Sequence, residues 1–276
     1  MKYTTRESIK LILADLDGTL LNSNQTIGDA DNFMIQKLNE FGYQFTLATG
    51  KTHHVIEDYI RLFDIHIPVI CNNGASIYDF DHHKDICVNS INTDESVSLL
   101  EFLVNVNASL TVFTNVAFWL SDKKLFESLN RPVQSGSFGF HAELLSNDYQ
   151  LISDQKILRI VVRDINASSY AKITNFISDH TIDSECSDFQ DGYTEIRKKN
   201  VNKGQALITL CQFLNIPISC TCTIGDGFDD LSMFKVSQLS IAMGNANEKI
   251  KEHADMITDN IKNCGFAKSI HMITHI

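Results

Sequence analysis

Four apolar residues run straight into a pair of acids near the start of this chain, and no other stretch constrains the fold as strongly. Leu11, Ile12, Leu13 and Ala14 are followed by Asp15, Leu16, Asp17, Gly18, Thr19 and Leu20. A short continuous apolar run reads as a strand buried on both faces of a parallel sheet. Acids that end such a strand lie at its carboxyl end, where open α/β sheets bind ligands. Residues two apart on an extended chain share a face, so Asp15 and Asp17 can look into one site. Two clustered anions repel, and a cation relieves that. The plainer alternative is a strand followed by an Asp-Gly turn.

The rest of the chain has the alternation that such a strand requires. Asp29 to Phe41 reads as a helix with Met34, Leu38 and Phe41 on one face. Tyr43 to Ala48 reads as a strand ending in Thr49, Gly50 and Lys51. His53 to Phe63 reads as a helix with a stripe of Val55, Tyr59, Leu62 and Phe63, and Ile67 to Cys71 as a third strand. Strands alternating with helices imply parallel βαβ units. The pattern breaks at the polar cluster Asp79 to Asp85, a hairpin turn or domain boundary. From there to Thr194 the chain reads as mixed α+β and is long enough for a separate domain. It holds helices at Glu95 to Val106 and Ala167 to His180, a strand at Ile157 to Val162, and a hairpin around Asn115. A second hairpin spans Phe189 to Ile196 around Asp191-Gly192, and Gln134 to Gly139 reads as a mobile loop. The α/β pattern resumes at Asn202 with a helix carrying Leu207, Leu210, Cys211 and Leu214. The strand Cys220 to Ile224 then stops at Gly225, Asp226, Gly227, Phe228, Asp229 and Asp230. Leu239 to Met243 and Met256 to Thr258 read as the last strands.

Carboxyl ends of parallel strands share one sheet edge. Asp15, Asp17, Thr49, Asp226, Asp229 and Asp230 can therefore converge although they are far apart in sequence, and Lys203 at a helix start can reach the same edge. Hard oxygen ligands suit Mg²⁺ better than zinc. Loop N–H groups, a helix N-terminus and a lysine suit a phosphate. With no adjacent histidine, a carboxylate here cannot run a serine-type triad, but it can itself be a nucleophile toward phosphorus. A metal ion is needed because anion otherwise meets anion. The net charge of −11 argues against nucleic acid or an anionic membrane as the main partner, while leaving room for a small anionic substrate. No apolar run approaches the ~20 residues that span a bilayer. The seven cysteines form no Cys-x-x-Cys pair and no signal segment precedes the first strand, which together read as reduced thiols in a cytoplasm. Cys220 and Cys222 read as strand residues rather than a metal pair.

Asp15 to Leu20 resembles the first motif of the haloacid dehalogenase superfamily phosphatases. Ala48-Thr49-Gly50 resembles the second motif, Asn202-Lys203-Gly204 the third, and Gly225 to Asp230 the fourth. Asn73-Gly74-Ala75 and Ala242 to Ala246 are similar to segments of the Cof-like subfamily, which carries a large α+β cap inserted between the second and third motifs. The resemblance covers essentially the whole chain. It implies an α/β fold, with a Rossmann-like parallel-sheet core over 1–82 and 195–276 and an inserted α+β cap over 83–194 that sets substrate specificity.

The resemblance also implies roles by position. Asp15 is the nucleophile that forms an aspartyl-phosphate. Asp17 protonates the leaving oxygen and then deprotonates the hydrolytic water. Mg²⁺ is held by the Asp15 carboxylate, the Asp17 carbonyl and Asp226, with Asp230 orienting the metal shell. Leu16, Gly18, Thr49, Gly50, Lys203 and Asp229 lie around the phosphate. Asp229 stands where Asn is usual, and a carboxylate there repels phosphate unless it is protonated or turned to the metal. Lys51 stands where Arg is common and keeps the charge without the bidentate fork. The expected activity is Mg²⁺-dependent hydrolysis of small phosphorylated metabolites such as sugar phosphates. A phosphotransferase or mutase on the same intermediate is one alternative, and a non-catalytic phospho-ligand sensor is another. The pairs His53-His54 and His82-His83 read as helix or turn decoration rather than metal ligands. Of Phe118 and Trp119, one packs while the other can face substrate. Phe138, Phe140 and His141 sit by the loop. The substrate's identity and the oligomeric state are not readable from the sequence.

Overall fold

The computed structural model describes residues 9–129, 142–145, 152, 154–189 and 192–274. The chain forms two compact units, Met1–Cys87 with Asn202–Ile276, and Val88–Val201. The opening stretch holds β1 (Leu11–Ala14), α1 (Asp29–Glu40), β2 (Gln44–Leu47), α2 (Glu57–Leu62), β3 (Val69–Cys71), β4 (Ser76–Asp79) and β5 (Lys84–Val88). The insertion holds α3 (Thr93–Asn105), β6 (Ser109–Thr114), β7 (Phe118–Leu120), α4 (Lys123–Leu129), β8 (Ala142–Leu144), β9 (Ile157–Arg163), α5 (Ala167–Asp179), β10 (Ser184–Cys186) and β11 (Thr194–Lys198). The chain returns with α6 (Lys203–Leu214), β12 (Thr221–Gly225), α7 (Leu231–Val236), β13 (Leu239–Ala242), α8 (Glu248–Lys251), β14 (Met256–Ile257) and α9 (Gly265–Ile273).

The core sheet is parallel in the order β14-β13-β12-β1-β2. β1 is an inner strand with a partner on each side, and all four of its residues are fully buried. Its alternate side chains feed two apolar layers. Ile12 and Ala14 join Met34, Leu38, Phe266 and Ile270, while Leu11 and Leu13 join Leu207, Leu210, Met233 and Phe234. This arrangement is a Rossmann-like core into which an α+β cap domain is inserted.

Three sequence expectations shift for physical reasons. The third strand begins only at Val69, because Pro68 has no N–H to give a ladder. β3 touches β2's exit through an isolated parallel bridge, Ala48–Ile70, and pairs antiparallel with β4. The helix foreseen at 53–63 is split into a 3-10 turn at His53–Val55 and α2. The split follows the β-branched pair Val55-Ile56 and moves the apolar phase, so Ile56, Ile60 and Phe63 are buried while Leu62 is exposed. Phe41 is also exposed rather than part of the α1 stripe, because it is the C-cap after Glu40.

The inserted unit has a mixed sheet in the order β10-β11-β9-β6-β7-β8. The hairpin around Asn115 is β6–β7. The second hairpin pairs Ser184–Cys186 with β11, so its first arm lies upstream of Phe189. One sheet face supplies Leu110, Val112, Ile160, Val162 and Ile196 to a core shared with Leu99, Leu103, Ile173 and Ile177 of α3 and α5. Phe102 and Phe176 stack at 4.0 Å between those helices. Phe118 and Trp119 are both buried, and the Trp119 Nε1–H donates to Gln155 Oε1 at 3.1 Å. On the opposite sheet face Arg159 donates to Glu195 at 2.6 Å and lies 3.9 Å from the Phe113 ring centre. The expected loop at 134–139, with Phe138, Phe140 and His141, lies outside the described residues, as does Asp191. Among the described residues no helix is long and apolar enough to cross a membrane.

Candidate active site

β1 carries Asp15 directly off its last residue, and the Asp15 N–H still donates to Ile224 O of β12 at 2.9 Å. The neighbouring strand β12 ends at Gly225, and Asp226, Asp229 and Asp230 occupy the turn that follows. The two strand ends therefore bring their acids together, as the parallel register dictates. One carboxylate oxygen from each of Asp15, Asp226 and Asp230 lies within 4.8 Å of the others.

Lys203, the first residue of α6, is almost fully buried among these acids. Its Nζ is 2.7 Å from Asp15 Oδ1, 2.6 Å from Asp230 Oδ1 and 3.1 Å from Asp229 Oδ2. Asn202 caps the helix by accepting from the Gln205 N–H, which fixes where Lys203 starts. Burial works against the ammonium, but the three carboxylates outweigh it and raise its pKa well above the usual lysine value. Burial pushes Asp15 well above the usual carboxylate range, with Lys203 pulling the other way. Asp230 is raised for the same reason. Asp226 is pushed up to about 6, by burial first and then by the Asp230 charge. One buried cation thus faces four acids, an imbalance that a second, divalent charge corrects.

The donor set fits such a cation. It is made of carboxylate oxygens, the hard ligands that Mg²⁺ takes. Asp230 is turned inward, with Oδ1 on Lys203 and Oδ2 accepting from the Asp226 and Gly227 N–H groups at 2.9 Å each. That leaves Asp15 and Asp226 as the cluster's outward-facing members. Asp226 accepts from Thr19 Oγ1 at 3.2 Å and from Asn245 Nδ2 at 3.2 Å, and Asn245 also donates to Gly18 O at 2.8 Å. A Cβ built on Gly18, whose φ is +81°, would sit 2.2 Å from Asp226 Oδ2. Gly18 therefore gives the site room, while its N–H closes the turn onto Leu21 O.

The Asp17 carboxylate takes different partners. The chain turns after Asp15, so the alternation of β1 does not continue and Asp17 is exposed. Lys51 Nζ lies 2.8 Å from Asp17 Oδ2, and Gln25 Nε2 donates to Asp17 Oδ1 at 3.0 Å. Thr49 is buried beyond β2, and its Oγ1 accepts from the Lys51 N–H at 3.1 Å, leaving the hydroxyl proton to be donated. Asn72, Asn73 and Gly74 all have positive φ and form a tight turn beside this loop. The Asn72 and Asn73 N–H groups donate to Lys51 O and Thr49 O. A Cβ on Gly74 would fall 2.3 Å from Asn202 O, so the turn also abuts the residue before Lys203. Thr19, Gln25 and Asn245 escaped the sequence reading. Thr19 and Asn245 lie inside motif segments, but the pattern of those segments does not name their partner.

The histidine pairs do not join this centre. His53 is buried with its ring stacked 4.0 Å from Tyr78, and burial lowers its pKa to about 4. His82 bonds Asp79 in the β4–β5 turn. Cys222 is buried inside β12, but Cys220, expected in the same strand, closes the 3-10 turn Ile218–Cys220 that precedes it after Pro217.

The family model for haloacid dehalogenase-like hydrolases matches residues 12–270. The chain is 29% identical to the phosphatase YwpJ of Bacillus subtilis, over 97% of this chain and 100% of that one. It is 28% identical to the 5-amino-6-(5-phospho-D-ribitylamino)uracil phosphatase YcsE of the same organism, over 95% of this chain and 94% of that one. A solved haloacid dehalogenase-like hydrolase from B. subtilis superposes with a TM-score of 0.79 at 26% identity, covering 97% of this chain and 100% of that one.

Proposed function

The chain belongs to the haloacid dehalogenase-like hydrolases and carries their phosphohydrolase type of active site, and from that premise we propose that it is a Mg²⁺-dependent phosphatase of small phosphorylated metabolites acting through an aspartyl-phosphate on Asp15. The observation that carries this reading is the buried Asp15–Lys203 contact at 2.7 Å beside Asp226 and Asp230.

Lys203 holds the Asp15 carboxylate and neutralises charge on both nucleophile and phosphate. An Asp15 oxygen bonds to phosphorus as the ester P–O bond breaks, and Asp17 gives its proton to the departing oxygen. Asp17 then takes a proton from water, whose oxygen bonds to phosphorus as the bond to Asp15 breaks and phosphate leaves. In this reading the Leu16 and Gly50 N–H groups and the Thr49 hydroxyl donate to the phosphoryl oxygens. Asp15, Asp226 and the Asp17 carbonyl would hold Mg²⁺, with Asp230 fixing the turn that presents Asp226. When bound, the ion offsets the negative charge that gathers as anion approaches anion. Positioned charge of this kind supplies most of the rate in phosphoryl transfer.

The inserted domain is read as a Cof-like cap that sets substrate specificity. The name of the YcsE relative gives a phosphorylated ribityl compound, which supports sugar phosphates or similar phosphomonoesters as the substrate class. The cysteine spacing, with no Cys-x-x-Cys pair, is read as that of thiols in a reducing compartment such as the cytoplasm. The test is phosphate release from a panel of phosphomonoesters, with Mg²⁺ or with chelator, using Asp15→Asn as control. Release that needs both the ion and Asp15 is expected. Equal release by Asp15→Asn overturns the reading.

A further inference from the structure

We infer that Gln25, which belongs to none of the motifs, is a positioning residue that aims the general acid Asp17 at the leaving oxygen, an inference that rests on the function proposed above. Asp17 is exposed, and an exposed carboxylate on a turn rotates unless something holds it. Here both of its oxygens are held. Oδ2 faces Lys51 Nζ at 2.8 Å, and Oδ1 accepts from Gln25 Nε2 at 3.0 Å.

The backbone around Gln25 is built for that aim. Gln25 has φ +59°, the left-handed region that a side chain other than Gly or Asn rarely adopts. Strain of that kind persists only where the surroundings over-determine it. The surroundings are visible. The Gln25 N–H donates to Asn22 O at 2.9 Å, and the Asn22 N–H donates to Thr26 O at 3.0 Å. Asn22 Oδ1 accepts from the Asn24 and Thr26 N–H groups at 2.9 and 3.2 Å. The Tyr59 hydroxyl, from α2, donates to Gln25 O at 3.1 Å. A turn tied at this many points does not need a glutamine for its own stability. Its one long side chain instead reaches eight residues back to Asp17.

The consequence is specific to one step. When the ester P–O bond breaks, a poor leaving oxygen needs the Asp17 proton, whereas a nitrophenolate departs without it. General acid catalysis contributes ~10²–10⁴-fold, and a misaimed acid forfeits part of that. The experiment measures kcat/KM, which reports steps up to the first irreversible bond cleavage, for an alkyl phosphate and for p-nitrophenyl phosphate. It is run on the wild-type, Gln25→Ala and Tyr59→Phe proteins with Mg²⁺. Gln25→Ala should lower kcat/KM for the alkyl ester about tenfold and for the aryl ester less than about twofold. Tyr59→Phe, which frees the Gln25 carbonyl but keeps the ring, should shift the same ratio in the same direction by less. Equal losses on both esters, or no loss on either, overturn the role of Gln25 while leaving the phosphatase reading in place. A wild-type protein with no Asp15-dependent activity overturns that reading and this inference with it.

Discussion

Replacing Lys203 by methionine probes the electrostatic balance at the sheet edge. Lys203 Nζ lies between 2.6 and 3.1 Å from oxygens of Asp15, Asp229 and Asp230 and is almost fully buried. At an effective dielectric of about 20, each contact has a gross attraction of about 5–6 kcal/mol, most of it offset by the cost of drying the charges. Removing one partner of a buried pair leaves the other uncompensated, and the net loss is about 3–5 kcal/mol. Methionine keeps the length and the helix propensity, so the loss is one of charge. The stranded carboxylates can take up protons, so the deficit should be largest at pH 7 and shrink toward pH 5. The sign follows from linkage. A carboxylate whose folded pKa is raised, as at Asp15, Asp226 and Asp230, gives stability below its unfolded pKa that is lost as pH climbs through the folded value. Without Lys203 those folded values rise further, and the window of loss moves toward neutrality. The assay is urea unfolding in chelator at both pH values, followed by far-ultraviolet circular dichroism. The single tryptophan, Trp119, lies in the Val88–Val201 unit and reports that unit by fluorescence. The circular dichroism transition should split, with an early phase that fluorescence does not see. Turnover should fall ~10²–10³-fold. A stability loss below about 1 kcal/mol at pH 7, or one that grows on acidification, refutes the argument.

Three further outcomes follow from the same geometry. Mg²⁺ should raise the melting temperature at pH 7 and do so progressively less below the Asp226 pKa of about 6, as protons displace the ion; a shift independent of pH contradicts this. Gly74→Ala places a Cβ 2.3 Å from Asn202 O at a φ of +98°, and should cost about 2–5 kcal/mol in chemical denaturation and disturb Lys203; a silent substitution contradicts the clamp. Asp229→Asn removes one of three anions around Lys203 and should keep or improve phosphatase activity, whereas a fall beyond about tenfold, ~1.4 kcal/mol, counts against the charge argument.

Strand ends were the most legible part of this chain. The apolar run Leu11 to Ala14 and its abrupt acids located β1, and the same pattern located β12 and Asp226. A parallel register then puts those acids side by side without further information. The less legible parts depend on local backbone geometry. Period-two reasoning put Asp15 and Asp17 on one face, but the chain turns after Asp15 and gives Asp17 to Lys51 and Gln25. Helical phase at 53–63 was lost because a 3-10 turn consumes residues at a different rate from an α-helix. The helix α9 went unread, although Phe266, Ile270 and Ile273 lie on one buried face. Its anchor is remote: the Ala267 N–H donates to Asp31 at 2.8 Å across 236 residues of sequence. Burial raises the pKa of that aspartate, and nothing beside it in the sequence announces the role.

The central claim is that phosphate passes through a covalent bond to Asp15. The most direct test is acid quench of the Mg²⁺-loaded protein during turnover of a good substrate, followed by peptide mass mapping. One added phosphoryl group is expected on the peptide that holds Asp15, labile to hydroxylamine and missing from Asp15→Asn. Rapid phosphate release with no such adduct at any time point, or an adduct on another residue, would contradict the account.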